Sequence, residues 1–277
     1  MNHDNKTIRS ADGTELHTQW WLPTDGLRAV VALVHGWSDH SGRYMNLVDR
    51  LVPVGIGVQG IDLRGHGRST GQRGHINAWS EYRADVDALL NDVEAHFGDV
   101  PLFLFGHSMG GLVVMDYAIH HPNRQLNGLI SSSPLLEQPN VSPAFVRVAK
   151  LLSRVAPNLS LNPGADPNTV SRDPAVVEKY SADPLGHNRS TPRFGMEMLA
   201  TQAFVMANLD GIQYPFLLYY GTADALVPVQ VSQTVLPGIG AADKTRFEYD
   251  GGYHELINDI IKAQVLDDVA VWLEAHI

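Results

Sequence analysis

Pro101-Leu102-Phe103-Leu104-Phe105-Gly106-His107-Ser108-Met109-Gly110-Gly111 is the stretch whose reading decides the fold. The apolar run Pro101 to Phe105 has the length of a buried strand, and Met109 to His120 has the composition of a buried helix. Between them stands Gly-x-Ser-x-Gly. A turn from strand to helix this tight leaves room only for glycine on either side of the serine, and the hydroxyl is left standing above the sheet. The pentapeptide alone is a short pattern. Its position between a strand and a helix gives it meaning, and it makes Ser108 the candidate nucleophile. The competing reading of Ser108 is a simple helix N-cap, which requires no flanking glycines.

The rest of the chain repeats the alternation of strand and helix. Glu15 to Leu22 alternates and reads as an edge strand after an Asp12-Gly13 turn. Ala29 to His35, Val58 to Asp62, Leu126 to Ser132, Phe216 to Gly221 and Thr245 to Tyr249 read as further strands. Helical spacing runs through Tyr44 to Val52, Trp79 to Phe97 and Asp259 to His276. Near-continuous apolar strands separated by helices predict an α/β fold with a mostly parallel central sheet and helices on both faces. The pattern breaks between about Pro134 and Gln213, where Pro143 to Val155 and Arg193 to Asn208 read as helices. The expected organisation is a core of residues 1–133 and 214–277 with a helical cap insertion at 134–213. Phe145, Val148, Leu152 and Val155 fall on one side of the first cap helix. They suit either contact with lipid aggregates or packing onto the core, in a segment read as lacking a basic face.

Composition narrows the classes. A chain of 277 residues, 44% of them apolar, suits one α/β domain with an insertion. With 20 basic against 30 acidic residues the net charge is −10, which disfavours nucleic acid as a partner. The absence of cysteine excludes disulfides and thiolate metal sites. No apolar run approaches the roughly 18 residues that span a bilayer. Met1 to Ser10 is polar and lacks the apolar region of a signal peptide, so the expected location is cytoplasmic.

Serine needs a base, and the base needs an acid to orient it. In the order serine, acid, histidine, each on a loop after a strand, the candidates are Ser108, Asp224 and His254. Asp224 follows Gly221 by three residues, and His254 follows the strand ending at Tyr249. Asp210, Asp243 and Asp250 compete for the acid, but none follows a central strand so closely. An oxyanion hole of two amides is expected from Met109, the residue after the nucleophile, and from Trp37 in His35-Gly36-Trp37. His35 reads as structural. Gly55-Ile56-Gly57-Val58-Gln59-Gly60 matches a dinucleotide fingerprint as a string, but it precedes a strand and opens no helix. His254-Glu255 begins like a zinc-protease helix, yet the second histidine position holds Asn258. No metal or organic cofactor is expected.

His35-Gly36-Trp37-Ser38-Asp39-His40-Ser41-Gly42-Arg43-Tyr44, Gly65-His66-Gly67-Arg68-Ser69, the serine pentapeptide, Ser181-Ala182-Asp183-Pro184-Leu185 and Gly221-Thr222-Ala223-Asp224 together resemble the monoacylglycerol lipase family of α/β-hydrolases. The resemblance runs from about Ser10 to the C-terminus. It implies an apolar acyl tunnel under the cap and a small polar pocket for the alcohol, with Arg43 and Tyr180 lining that pocket and His107 at a matching position. Asp39 stands where family members carry a longer acid, Trp37 where the residue is often small, and Ile257 where some carry a second histidine. These differences fall on the alcohol side. The expected activity is serine-dependent hydrolysis of a small-molecule ester, with monoacylglycerol favoured. Lysophospholipase and broad carboxylesterase activities are close alternatives. An iminopeptidase would require cap carboxylates such as Glu137, Glu178 and Glu197, and a non-catalytic binding homologue is the reading from a different class.

Overall fold

A computed structural model describes residues 1–137, 142–164 and 166–277. The described strands are β1 (Asn2–Arg9), β2 (Glu15–Leu22), β3 (Ala29–Val34), β4 (Ile56–Ile61), β5 (Leu102–His107), β6 (Gly128–Ser132), β7 (Phe216–Gly221) and β8 (Lys244–Tyr249). The helices are α1 (Met45–Leu51), α2 (Ser80–Phe97), α3 (Met109–His120), α4 (Pro143–Val155), α5 (Pro174–Ala182), α6 (Pro192–Ala207), α7 (Val229–Gly238) and α8 (Lys262–Glu274).

The strands form one sheet in the order β1-β2-β4-β3-β5-β6-β7-β8. From β4 to β8 all pairs are parallel, while β2 runs antiparallel to both β1 and β4. After β3 the chain moves outward to β4 and then returns to place β5 on the other side of β3. The strand order therefore reverses between β3 and β5, and their carboxyl ends open beside each other, where ligands bind in sheets of this kind. That reversal brings His35-Gly36-Trp37 next to the turn holding Ser108.

Every residue of β3, β4, β5 and β7 is buried, because helices cover both faces. One layer of core carries α2 and α3, with Tyr82, Leu89, Leu112 and Tyr117 fully buried. The other carries α1 and α8, with Leu47, Leu51, Val265 and Leu273. The glycine string 55–60 lies largely inside β4, where Gly57 and Gly60 admit the close approach of Leu22 and Ser41; a Cβ would stand 2.8 and 2.7 Å from them.

One expectation about the sheet changes. The sheet's edge strand is β1, not Glu15–Leu22; Asn2–Arg9 pairs with it along its whole length. Its polar composition suits an edge strand exposed on both faces, which leaves almost no hydrophobic alternation to read. The short helices α5 and α7 were also not evident as helices. α5 is announced only by the Asp173 cap, whose carboxylate accepts from Ala175 N, and by Pro174 at its first turn.

Between β6 and β7 the regular elements among the described residues are helices, apart from a single bridge between Leu161 and Ser190. α4 packs on α6, and α6 lies on α3. The apolar side of α4 faces outward. Phe145, Val148, Leu151 and Val155 are each more than half exposed, at 56–69%. Arg147, Lys150 and Arg154 run along the flank of the same helix, all exposed, so the expectation of no basic face is corrected.

At the elbow, backbone packs directly on backbone. A Cβ on Gly106 would lie 2.2 Å from the Gly110 carbonyl oxygen, and one on Gly110 would lie 2.3 and 2.5 Å from the carbonyl oxygens of Val34 and His35. Backbone cannot yield as a flexible side chain does. Gly110→Ala is therefore expected to destabilise the fold by about 3 kcal/mol or more, read as a lower urea midpoint. A midpoint equal to that of the unmodified protein would contradict the assigned contact.

Candidate active site

β5 ends at His107, α3 begins at Met109, and Ser108 between them has φ 55° and ψ −117°. This is a strained conformation for a residue with a side chain, and its neighbours hold it there. Ser108 N donates to Ser132 O at 2.9 Å, while Ser108 O accepts from Leu112 N at 3.1 Å and Leu135 N at 3.0 Å. The hydroxyl makes no capping bond to α3, which disposes of the N-cap reading. It faces a cavity of about 290 Å³ lined also by Trp37, Asp39, His107, Tyr180 and His254.

Asp224 and His254 meet from the loops after β7 and β8. These loops touch closely: a Cβ on Gly221 would fall 2.2 Å from Gly252 O. Asp224 Oδ1 accepts from the amides of Leu226 and Val227 at 2.8 and 3.0 Å, and Oδ2 lies 2.7 Å from His254 Nδ1. The Ser133 hydroxyl donates to the His254 carbonyl at 3.0 Å and steadies the loop from the end of β6. Burial works against charge on both partners, but their mutual attraction and the two amides outweigh it. The Asp224 carboxyl is held below its ordinary value, and His254 is raised. Nδ1 is thereby engaged by Asp224.

His107 is a contrast. Burial, reinforced by His254 at a ring separation of 4.8 Å, pulls it down to about 3, so it is neutral at physiological pH. Its Nδ1 lies 3.1 Å from Ser132 Oγ. Gly36 sits directly against the nucleophile, where a Cβ would be 3.3 Å from Ser108 Cβ. Trp37 lines the cavity, and Met109 N stands at the start of α3, where amides lack partners within the helix.

The polar end of the cavity holds Asp39, Tyr180 and Glu255. Arg43, expected to line it, lies behind these groups and opens instead onto a neighbouring cleft. Its guanidinium binds Glu255 through two bonds of 2.9 and 2.7 Å, reaches Asp39 at 3.1 Å, and stacks on the Tyr180 ring at 4.6 Å. The second Asp39 oxygen accepts from Tyr44 OH at 2.9 Å. Burial opposes ionisation of Arg43 and Asp39, yet the pairing prevails in both, raising Arg43 and lowering Asp39. Sequence reasoning passed over two residues of this cluster, Tyr44 and Glu255, and weighed Glu255 only as part of a failed zinc pattern. Its partner is Arg43, far away in the chain, and no local spacing reveals such a pair.

The family model for serine aminopeptidases of the S33 type matches residues 25–260. A monoacylglycerol lipase of Mycolicibacterium smegmatis is 33% identical over 93% of this chain and 92% of its own length. The crystal structure of Paleococcus ferrophilus monoacylglycerol lipase superposes with a TM-score of 0.84, at 34% identity and full coverage of both chains. A phospholipase of Bacillus subtilis is 31% identical over 93% of this chain and all of its own.

The chain belongs to the monoacylglycerol lipase family of α/β-hydrolases. Family membership makes it an ester hydrolase, and the sheet order, elbow and helical cap are those of the α/β-hydrolase fold.

The reading of His254 as the base, proposed below, fixes the sign of a pH dependence. A base must be neutral to accept a proton, and His254 is raised above the 6.5 of an ordinary imidazole. The ascending limb of kcat/KM is therefore expected to have its midpoint above pH 6.5. Asp224→Asn should shift that midpoint downward and cut kcat by about 10⁴-fold. A limb centred below 6.5 in the unmodified enzyme would show that another group titrates.

Proposed function

We propose that the chain hydrolyses monoacylglycerols to fatty acid and glycerol through an acyl-enzyme on Ser108. The observation that carries this reading is the 2.7 Å contact of His254 Nδ1 with Asp224 beside a cavity that His254 shares with Ser108. In the first step Ser108 Oγ attacks the ester carbonyl carbon and its proton passes to His254 Nε2. The resulting oxyanion is received by the amides of Trp37 and Met109. The carbon–oxygen bond to the alcohol then breaks, and His254 returns the proton to the leaving alkoxide. Water attacks the acyl-enzyme with His254 again as base, releasing the acid and restoring Ser108.

The cavity's two ends support the substrate class. Val170, Phe194, Met198, Leu226 and Val227 offer an apolar wall to the acyl chain, and Asp39, Tyr180 and Glu255 offer hydrogen-bonding groups to a small polyol. The lipase names of the relatives point the same way. The segment 134–213 then acts as a cap on the core 1–133 and 214–277. An aminopeptidase reading is weaker, despite the name of the matching family model. Glu137 and Glu178 are exposed, Glu197 accepts from Trp79 N, and Asp39 and Glu255 are already paired with Arg43 rather than free to hold an ammonium group. A matched panel of monoacylglycerols, a lysophospholipid, an aryl ester and an aminoacyl amide tests the reading. Monoacylglycerol is expected to give the highest kcat/KM, with activity and fluorophosphonate labelling both lost in Ser108→Ala. Preference for the lysophospholipid or the amide would reject the substrate class, and an unlabelled Ser108 would reject the mechanism.

We propose further that α4 delivers the enzyme to lipid aggregates. Its outward Phe145, Val148, Leu151 and Val155 suit acyl chains, and Arg147, Lys150 and Arg154 suit anionic headgroups despite the net charge of −10. A buried Phe or Val side chain contributes about 1.5–3 kcal/mol. Phe145→Ser with Val148→Ser should thus weaken binding to vesicles containing phosphatidylglycerol by roughly tenfold or more. Hydrolysis of a dissolved short-chain ester should not change. Undiminished vesicle binding would remove α4 from the contact.

A further inference from the structure

The loop that carries His254 runs from Gly251 to Asp259, and one short stretch of the helical segment between β6 and β7 ties it along its length. That stretch is Val170-Ser171-Arg172. Glu255 N donates to Val170 O at 2.8 Å, and Ser171 Oγ donates to Asn258 O at 3.1 Å. Arg172 reaches both ends of the loop. Its backbone N–H donates to Asp259 Oδ2 at 3.1 Å, and its Nε and Nη2 donate to Asp259 Oδ1 at 2.9 and 2.6 Å. At the other end, a Cβ on Gly251 would stand 3.4 Å from Arg172 Nη1, so the guanidinium walls the turn where the loop begins. Asp259 is completely buried, and Val170 and Ser171 are nearly so. Burial disfavours the Asp259 carboxylate, but the hydrogen bonds and charge of Arg172 outweigh it and hold the carboxyl below its ordinary value.

These ties bear on the base through one peptide bond. The carbonyl of His254 and the N–H of Glu255 belong to the same planar trans unit and point in opposite directions. Ser133 Oγ, at the end of β6, donates to that carbonyl at 3.0 Å, while Val170 O accepts from that N–H. The unit behind the imidazole is thus gripped from one side by the sheet and from the other by the inserted segment. Where the second grip stands is set by Arg172, two residues along and locked onto a buried carboxylate. Other groups hold the loop elsewhere. Asn46 Nδ2 donates to Ile257 O and to Asn258 Oδ1, in its later half, and Arg43 holds the side chain of Glu255.

We propose that Arg172 is a positioning residue for the general base: by locking Val170-Ser171-Arg172 onto the loop 251–259, it holds the His254 imidazole toward Ser108. The inference rests on the reading of His254 as base and deepens it. Residues inserted between β6 and β7 become part of the catalytic frame as well as a wall over the cavity. Arg172 does not line that cavity, so it acts on the reaction only through His254.

Arg172→Met removes the guanidinium and strands the Asp259 carboxylate in the interior. Combining Arg172→Met with Asp259→Asn removes the stranded charge too, and should recover thermal stability without recovering the lock. On a dissolved short-chain ester both variants should lose about 10²-fold in kcat, the scale for a reacting group misplaced by about 1 Å. KM should be little changed, and the rate of fluorophosphonate labelling at Ser108 should fall by a similar factor. The His254 Nδ1 proton, held 2.7 Å from Asp224 across its hydrogen bond, should give a far-downfield ¹H resonance that broadens or disappears in the double variant. A role in stability alone predicts that kcat returns with the melting temperature. Full kcat in the folded double variant overturns the proposal. So does a raised KM at unchanged kcat, or an unmoved His254 resonance in a variant that has lost activity. If these variants fail to fold, Arg172→Lys is read in the same way, since it keeps a cation beside Asp259 but only as a point charge. Fluorophosphonate separates the two levels of the reading. An unlabelled Ser108 in the unmodified enzyme means that the catalytic reading has failed, whereas a labelled Ser108 with full kcat in the double variant removes only the assignment of Arg172.

Discussion

The backbone contact between α3 and β3 is the constraint on which the molecule depends. Gly110 leaves no space between the first turn of the helix and the carbonyl oxygens of Val34 and His35. The helix is thereby seated over the very strand whose next residues are His35-Gly36-Trp37. Ser108, two residues earlier, holds its strained conformation in the turn that joins β5 to α3. Ser108 and the amides of Trp37 and Met109 are thus placed relative to one another by the packing of main chain. Side-chain chemistry is added to a geometry already fixed.

A second fixed point lies on the opposite wall. Arg43 draws together Asp39 from the oxyanion loop, Glu255 from the loop of His254, and the Tyr180 ring from the cap. Removing one member of a buried ionic cluster leaves charge without a partner, at a cost of about 3–5 kcal/mol. The cluster therefore holds three separately encoded segments in register around one cavity. Ser38 and His40 add further ties to the cap. Ser38 has φ 65° and bonds the backbone of His187 through its hydroxyl, and His40 pairs with Asp183 at 2.9 Å.

Much of this was legible in the sequence where local pattern and function coincide. The continuous apolar strands, the glycine-flanked serine and the order of Ser108, Asp224 and His254 each carry a short-range signature, and the structure brings those residues together. The edge strand Asn2–Arg9 was not legible, because its two exposed faces erase the alternation that marks a strand. α5 failed to show for lack of length and of a buried face. Arg147, Lys150 and Arg154 were visible as residues, but their relation to the apolar side of α4 appears only when the helix is wound and its outward face is known. Arg43 was placed at the cavity wall and instead stands behind it, because the pair with Glu255 joins the two ends of the chain. Periodicity cannot report such a contact.

The helical segment lies between β6 and β7, so Ser108 precedes it in the chain and Asp224 and His254 follow it. During synthesis, Ser108 emerges from the ribosome well ahead of Asp224 and His254. β7 pairs with β6, and β8 pairs with β7 in turn. The contact between Asp224 and His254 thus spans the loops of the last two strands to be added on that side. A chain that stops short of β8 carries Ser108 and Asp224 without His254, so the three residues meet only in a sheet that is complete beyond the helical segment.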